Sequence, residues 1–308
     1  MNNSTLITGG CGFIGANLIA ALRIQSAGEI RVLDNESCGK WEWIKEFDVE
    51  FINGDIRDEK VLRQALNSVD CVVHLAADTR VMDSIENPMF NWDVNVRGTL
   101  MILEEMRRRG VKKIVSASTG GAILGEATPP VNENMPPRPT SPYGAAKLSV
   151  EGYCSAYAAA YGMTAISLRF SNVYGPRSYH KGSVVAEFFR QIQKGSPLTV
   201  YGDGTQTRDY VYVEDLVGGI LLGMNSEESG VYQLGSGRGT SINELLELMK
   251  GAVGPEKPVN VNYEGFRDGE IRHTWCDISH ACSALGYAPK TDLQDGLRKT
   301  WEWFCSQQ

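Results

Sequence analysis

Short apolar runs alternate with longer segments of helical apolar spacing through the first 170 residues of the chain. The predicted strands cover residues 5–8, 29–33, 49–54, 70–75, 111–117 and 164–170, and the predicted helices cover 16–22, 58–67, 86–109 and 143–162. Strands that alternate with helices form a parallel sheet with helices on both of its faces. We therefore predict an α/β fold with a doubly wound parallel sheet.

The regular alternation ends after residues 174–176. The elements predicted beyond it are helices over 183–194 and 214–224, a strand over 231–234, and a helix that a capping box opens at 241–244. We predict that residues 1–174 and about 209–239 form the sheet domain. A smaller lobe, roughly residues 175–208 and 240–308, is expected to cover the carboxyl edge of the sheet, where ligands of open α/β sheets bind.

The first predicted strand runs into a glycine-rich turn, Gly9 to Gly15, and a helix follows the turn. Gly9 permits a tight turn, Gly12 lets backbone amides approach a pyrophosphate, and Gly15 allows the helix and the strand to pack closely. The helix N-terminus adds partial positive charge. This context predicts a dinucleotide site of the Rossmann type. Asp34 ends the second strand, where a carboxylate binds a ribose diol and repels a 2′-phosphate, so NAD is favoured over NADP.

Residues at the ends of the next strands extend this pattern. Asp55 follows the third predicted strand, where it would lie beside an adenine. Ala76 and Ala77 follow the fourth strand, and their small side chains leave room for a dinucleotide to cross the sheet edge. His74 precedes them, and we interpret it as a hydrogen-bonded residue at the strand end rather than as a catalyst.

The composition and the net charge exclude some classes of binding partner. The 308 residues suffice for more than one packing unit, and the net charge of −7 argues against nucleic acid or an anionic membrane as a main partner. The seven cysteines are scattered without a C-x-x-C motif, which indicates reduced thiols in a cytoplasm and no metal site. The apolar stretch 6–22 contains four glycines and lacks a preceding basic region, so it is not read as a signal peptide. No segment is predicted to span a bilayer.

Tyr143 and Lys147 lie one helical turn apart at the start of the helix predicted over 143–162. An ammonium group there would lower the pKa of the phenol, because a nearby opposite charge favours the ionised form. A shift of the phenol pKa from about 10 to neutrality takes roughly 4 kcal/mol of interaction free energy. A phenol with such a pKa can exchange a proton with a sugar hydroxyl. The same spacing also suits a packed tyrosine beside a solvated lysine.

Taken together, these residues resemble the NAD-dependent nucleotide-sugar epimerase/dehydratase family, which belongs to the extended short-chain dehydrogenases/reductases. The resemblance runs essentially from end to end of the chain. Its motifs here, besides the glycine turn, Asp34 and the Tyr143/Lys147 pair, are residues 74–77, 95–99, 116–119, 168–176 and 207–211. The family implies a Rossmann-type sheet domain, tightly bound NAD and a C-terminal lobe that binds the nucleotide-sugar.

The resemblance also implies roles for individual residues. Tyr143 would be the acid/base, Lys147 would bind the nicotinamide ribose, and Thr119 would hydrogen-bond the sugar oxygen, with Ser118 as the alternative. The other residues implied to contact NAD are Gly9, Gly12, Phe13, Ile14, Gly15, Asp34, Asn35, Asp55, Ile56, Leu75, Ala76, Ala77 and Asn95. The other residues implied to contact the substrate are Arg80, Asn172, Arg208, Arg267 and Thr274.

The chain departs from the commonest family pattern after Thr119. Gly120 and Gly121 stand where dehydratases of the family carry an Asp-Glu pair and decarboxylases a Glu, and glycine cannot transfer a proton. A 4-epimerase needs no such group, so epimerisation is favoured. Thr274 stands where a bulky tyrosine restricts some relatives, and this leaves space for an N-acetyl group.

The sequence thus predicts a 4-epimerase for a UDP-hexose or UDP-N-acetylhexosamine, acting through a transient 4-keto sugar. Arg80, His180 and Lys181 keep UDP-glucuronate open as a substrate, because their charges suit a uronate carboxylate. A dehydratase, a 4-ketosugar reductase that releases its cofactor and a non-enzymatic NAD-sensing module are the alternatives, and uridine is not distinguished from thymidine. Apolar stripes on the helices 86–109 and 143–162 predict a homodimer.

Overall fold

The computed structural model describes residues 4–266 and 271–307. Its strands are β1 (Thr5–Thr8), β2 (Ile30–Asp34), β3 (Glu50–Asn53), β4 (Cys71–His74), β5 (Lys113–Thr119), β6 (Thr164–Phe170), β7 (Asn172–Tyr174), β8 (Leu198–Tyr201), β9 (Thr207–Arg208), β10 (Tyr210–Tyr212), β11 (Gly230–Leu234), β12 (Thr240–Ser241) and β13 (Val261–Glu264). Seven of them form a parallel sheet in the order β11-β6-β5-β4-β1-β2-β3. The order reverses between β1 and β4, so the sheet is doubly wound as predicted.

The helices surround this sheet and build the smaller lobe. They are α1 (Phe13–Ile24), α2 (Glu59–Ala65), α3 (Val81–Glu86), α4 (Pro88–Trp92), α5 (Gly98–Arg109), α6 (Gly120–Leu124), α7 (Pro142–Tyr161), α8 (Val184–Lys194), α9 (Val213–Asn225), α10 (Ile242–Val253), α11 (Ser279–Leu285) and α12 (Leu293–Ser306). A 3₁₀ turn covers Trp41–Trp43, and a π-helical turn, Asp93–Arg97, joins α4 to α5.

The predicted helix 86–109 is wrong at its start. α3 ends at Glu86, Asn87 is not helical, and α4 begins at Pro88. A residue before proline is disfavoured in the helical conformation, and proline suits the first helical position. The Asn87 side chain then accepts the N–H of Phe90 and caps the new helix. The predicted helix therefore begins two residues later than expected, at Pro88, and α3 is a separate helix before it that the sequence analysis did not predict.

The helix that carries Tyr143 and Lys147 has well-defined ends. Ser141 caps α7 by accepting the N–H of Gly144 at 3.1 Å, and Pro142 occupies the first helical position. Gly162 ends the helix in the left-handed conformation, with φ of +61°. The N-terminus of α7, and with it Tyr143, is therefore fixed at the carboxyl edge of the sheet.

Two hydrophobic cores lie on the two faces of the sheet. Successive side chains of a strand point to opposite faces, so Leu6 enters one core and Ile7 the other. Val72 and Val73 divide in the same way. A third core, which includes Phe189 and Phe304, joins α8, α10 and α12. The division into a sheet domain and a lobe at residues 174, 208 and 239 stays a prediction, and the separate third core supports it.

Three further observations concern the described part of the chain. No helix within residues 4–266 and 271–307 has both the length and the apolar character needed to cross a bilayer. In the same residues, no group of three His, Cys, Asp or Glu side chains is arranged to hold a metal ion. All seven cysteines are free thiols.

Candidate active site

The glycine turn forms a tight cradle before α1. Gly9 has φ of +70°, and a Cβ atom there would lie 2.6 Å from the backbone nitrogen of Ala76, so only glycine fits. Gly12 precedes α1 without bringing a side-chain cap, and the first turn of α1 contains no acidic residue. The N–H groups at Phe13 and Ile14 therefore begin a helix whose positive end suits an anion. These features fit the pyrophosphate of a dinucleotide.

Gly15 serves a different contact from the predicted one. A Cβ atom on Gly15 would lie 2.6 Å from the Cα and carbonyl oxygen of Gly10, within the turn itself. The close approach is therefore between α1 and the turn rather than between α1 and a strand. This contact keeps the cradle narrow.

Asp34 ends β2, as predicted, and its carboxylate lies beneath the glycine turn. Its Oδ2 accepts the N–H of Cys11 at 3.0 Å, and its Oδ1 accepts the N–H of Glu36 at 2.8 Å. Burial raises the pKa of Asp34, whereas these two hydrogen bonds oppose the rise. Each carboxylate oxygen has a further lone pair for a ribose hydroxyl.

Asp55 follows β3, and its carboxylate already has partners in the protein. Arg57 donates to both of its oxygens at 2.8 Å, and Asn35 donates to Oδ2 at 3.0 Å. The guanidinium hydrogen bonds lower the pKa of Asp55 to about 2. Ile56 is buried in the core against Gly98. The predicted cofactor contact of Ile56 is therefore restricted to its backbone.

Asn95 holds the loop after β4, which contains Leu75, Ala76 and Ala77. Its Oδ1 accepts the N–H of Asp78 at 2.9 Å, and its Nδ2 donates to the carbonyl of Asp78 at 2.8 Å. Asn95 is buried. Both ends of the amide thus fix the loop on which a cofactor would lie, and the predicted direct contact of Asn95 with NAD stays a prediction.

His74 is a structural residue at the end of β4, in agreement with the sequence interpretation. Its Nδ1 shares a hydrogen bond with the Thr8 hydroxyl at 2.7 Å, and its Nε2 shares one with the Thr99 hydroxyl at 2.9 Å. Burial, with a smaller effect from Lys147, lowers the pKa of His74 to about 3. The ring is therefore neutral and couples β1, β4 and the start of α5.

Tyr143 and Lys147 lie on one face of α7, but their electrostatics differ from the prediction. The Lys147 ammonium donates to the carbonyl of Ala117 in β5 at 3.0 Å. Burial lowers the pKa of Lys147 to about 8. Burial, and then the charge of Asp78, raises the pKa of Tyr143 above its usual value. Burial and the charge of Asp78 therefore oppose the predicted shift of the Tyr143 pKa towards neutrality.

The alternative between Thr119 and Ser118 is resolved by a buried network. The Ser118 hydroxyl donates to Glu151 at 2.6 Å, and Arg169 donates to both oxygens of the same carboxylate at 2.8 Å. Ser118 is buried, whereas Thr119 is partly exposed at the end of β5. The predicted catalytic role of Ser118 is therefore corrected to a structural one. Thr119 becomes the hydroxyl available at the sheet edge.

The side chains around Gly120 and Gly121 bear on why small residues follow Thr119. A Cβ atom on Gly120 would overlap the side-chain oxygen of buried Gln233, so a larger residue there would require the Gln233 side chain to move. Among the residues that the structure describes, a Cβ atom on Gly121 would meet Thr274, at 3.6 Å from its hydroxyl oxygen. The start of α6 and Thr274 thus lie close together, with no large side chain of the described residues between them.

The lobe brings some of the predicted substrate residues to this edge. Thr274 donates its N–H to the carbonyl of Thr207 at 3.2 Å, beside Arg208 in β9. Arg208 donates to the carbonyls of Thr207 and Arg272 at 2.9 and 3.1 Å. Asn172 is exposed at the start of β7. The structure therefore brings Arg208 and Thr274 together on two neighbouring segments that hydrogen-bond to each other.

Arg80 is not brought into this group, and the remaining predicted substrate residue lies outside the described part of the chain. Arg80 is exposed before α3, 3.7 Å from Asp83 in a surface ion pair. Such a pair contributes little to stability, so the side chain is free to reorient. Arg267 lies outside the described residues.

Sequence reasoning missed two buried carboxylates that support the site. Glu151 holds Ser118 and Arg169, and its position one turn after Lys147 was the available signal. Asp209 follows Arg208 and accepts the N–H groups of Ser236, Gly237 and Cys276 at 2.7, 3.1 and 3.3 Å. This carboxylate ties the end of the sheet to the segment that carries Thr274.

The fold and this edge define a dinucleotide-dependent enzyme of the Rossmann class with a Tyr–Lys pair. The chain belongs to the NAD dependent epimerase/dehydratase family, whose sequence profile matches residues 5–235. NAD is therefore its cofactor. The family named from the sequence motifs is confirmed.

Individual relatives of known structure or activity cover the whole chain. UDP-glucose 4-epimerase of Thermotoga maritima, solved with UDP-glucose, is 38% identical, covers 99% of both chains and has a TM-score of 0.93. UDP-N-acetylglucosamine 4-epimerase of Methanobrevibacter ruminantium, solved with UDP-N-acetylmuramic acid, is 31% identical, covers 100% of both chains and has a TM-score of 0.93. UDP-glucuronate 4-epimerase of Thermodesulfobacterium geofontis is 32% identical over 97% of this chain and 95% of the relative.

Proposed function

We propose that the protein is an NAD-dependent nucleotide-sugar 4-epimerase that acts on UDP-hexoses and their N-acetyl analogues. The observation that carries the proposal is the arrangement at the sheet edge. Tyr143 and Thr119 offer a phenol and a hydroxyl there, whereas Gly120 and Gly121 offer no group for the elimination or decarboxylation that related enzymes perform. A reaction that inverts one carbinol needs no group beyond these.

The residues present suit NAD in the cradle at α1. Backbone amides at the start of α1 would hold its pyrophosphate, and Asp34 would accept hydrogen bonds from its adenosine ribose. When bound, NAD would supply the reversible oxidation at carbon 4 of the sugar. Tyr143 would take the proton of the 4-hydroxyl and return it, while Thr119 would hydrogen-bond the same oxygen.

The sugar specificity follows from the space between α6 and the segment that carries Thr274. Glycine at position 121 and threonine at position 274 are both small, so neither of these two residues places a bulky side chain beside the sugar site. An N-acetyl group adds several non-hydrogen atoms to the hexose, so an open wall favours acceptance of both substrates. UDP-glucuronate is the contrasting case, since a carboxylate requires a cation at the sugar.

A coupled assay with three UDP-sugars and their 4-epimers tests the proposed function. We expect the purified protein, without added NAD, to interconvert UDP-glucose with UDP-galactose and UDP-N-acetylglucosamine with its 4-epimer. UDP-glucuronate is the third arm, and turnover of it alone would replace the proposed sugar class. A requirement for stoichiometric NADH would indicate a reductase, and inactivity on every UDP-sugar would refute the epimerase proposal.

We also propose that the protein forms a homodimer through α3, α4 and α7. These helices expose large apolar side chains, among them Met82, Ile85, Met89, Trp92 and Tyr153. Met89 is 70% exposed. A patch of this kind is typical of a protein interface.

Light scattering tests the dimer. We expect a molar mass of twice the 33.8 kDa of one chain. A Met82→Glu, Met89→Glu double variant should shift the mass towards the monomer, because charges would be buried in the interface. Ile24→Glu is the matched control, since Ile24 is exposed at the end of α1 and away from these helices. A monomeric wild-type protein contradicts the proposal.

A further inference from the structure

Lys181 belongs to the turn between β7 and α8, and its side chain points inward. It is partly buried, and its Nζ donates to the carbonyl of Val173, in β7, at 2.9 Å. The same nitrogen lies 5.1 Å from the centre of the Phe13 ring, at the first residue of α1. An ammonium group from the turn that opens the lobe therefore reaches the beginning of the helix beside the glycine cradle. The sequence analysis predicts a uronate carboxylate as a partner of Lys181 and does not predict this contact with α1.

The charge of Lys181 has no counter-charge among the residues that the structure describes. Its hydrogen-bond partner is a carbonyl, its ring contact is Phe13, and no carboxylate of the described residues forms an ion pair with it. Burial alone accounts for the lowering of its pKa to about 8. A charge removed from water is costly unless it is paired. The first turn of α1 beside it also lacks an acidic residue.

The backbone of this turn is fixed from two sides. Asn17 in α1 donates its amide to the carbonyl of Pro176 at 3.1 Å. Arg190 in α8 donates to the carbonyls of Tyr179 and Lys181, at 2.9 Å for the latter. The turn is therefore tied to the helix of the dinucleotide cradle and to the lobe at the same time. Lys181 reaches Phe13 because of this anchoring and not as a free surface side chain.

We propose that Lys181 is a diphosphate-binding residue of the crevice between the glycine cradle and the lobe. Its ammonium supplies charge to an anion held at the start of α1, in addition to the backbone amides there. Two diphosphates reach this crevice if the proposed function holds, namely the pyrophosphate of NAD and the diphosphate of the nucleotide-sugar. The shared chemistry is a diphosphate, and separate measurements identify which one Lys181 contacts.

The test variant is Lys181→Met, which removes the positive charge of Lys181 and keeps an aliphatic side chain. Lys181→Gln is the second variant if Lys181→Met fails to fold. Retained NAD is quantified after gel filtration, and the Kd for UDP is measured by calorimetry. We expect either the retained NAD or the affinity for UDP to fall at least tenfold. Loss of NAD assigns Lys181 to the cofactor pyrophosphate, whereas weaker UDP binding assigns it to the substrate diphosphate.

Two controls make the outcome specific. Lys194→Met, at the exposed end of α8, should leave both measurements unchanged, and Lys181→Arg should restore part of the lost binding. Neither readout requires turnover, so the result is independent of whether the sugar assay finds a substrate. A folded Lys181→Met or Lys181→Gln protein that retains NAD and binds UDP as the wild type does overturns the proposal.

Discussion

Replacing Tyr143 with phenylalanine is expected to lower kcat by about 10²–10⁴-fold, the range that general acid–base catalysis contributes. The substitution removes the phenolic hydroxyl and keeps the aromatic ring that packs at the start of α7. Lys147 keeps its contact with Ala117, so the cofactor site is unchanged. We therefore expect NAD to remain bound at one equivalent per chain, measured after denaturation.

Tyr153→Phe is the matched control for this experiment. Tyr153 lies on the same helix and is 40% exposed, so the loss of its hydroxyl should leave turnover unchanged. A Tyr143→Phe protein that retains wild-type turnover would contradict the assigned acid/base role. Loss of NAD together with activity would instead indicate that the phenol shapes the cofactor site.

Removal of the buried Glu151 carboxylate should have the largest effect on folding. The side chains of Glu151 and Arg169 are only 6% and 5% exposed. The Arg169 guanidinium donates one hydrogen bond to each oxygen of the Glu151 carboxylate. Glu151→Ala leaves a buried guanidinium without a counter-charge, which costs about 3–5 kcal/mol. We expect urea unfolding to report this loss as a lower midpoint.

An exposed ion pair provides the comparison. Glu59 and Arg63 form an i,i+4 pair on the surface of α2, so Glu59→Ala should leave the unfolding midpoint almost unchanged. Replacing Glu151 and Arg169 together with leucine and methionine should recover much of the stability, because no charge is left unpaired. Equal midpoints for Glu151→Ala and Glu59→Ala would refute the structural role of the buried pair.

Most of the fold was predictable because it rests on local periodicity. Pairs such as Leu6 and Ile7 alternate between two cores, and this alternation of buried side chains is what makes a strand run apolar at every position. The start of α4 was also encoded in the Asn-Pro step, although the sequence analysis placed it two residues too early and did not predict α3. The types of most elements thus follow from neighbours in sequence, whereas their exact boundaries do so less closely.

The site was predictable to a lesser degree, since its partners come from distant elements. The glycine turn and the Tyr143/Lys147 pair are local motifs and were visible. The hydrogen bond from Ser118 to Glu151 joins residues that lie 33 positions apart in the sequence. The hydrogen bond between Asn95 and Asp78 depends on the conformation of the loop after β4. The pKa of Tyr143 depends on burial, which no spacing reveals.

The most direct test of the account uses UDP-glucose that carries deuterium at carbon 4, incubated with the purified protein in ordinary water without added NAD. The proposed chemistry oxidises and reduces the same carbon inside one closed site. We therefore expect UDP-galactose that retains its deuterium at carbon 4, as read by mass spectrometry and NMR. UDP-galactose that has lost the label to water, or product that forms only when NADH is supplied, would contradict the account.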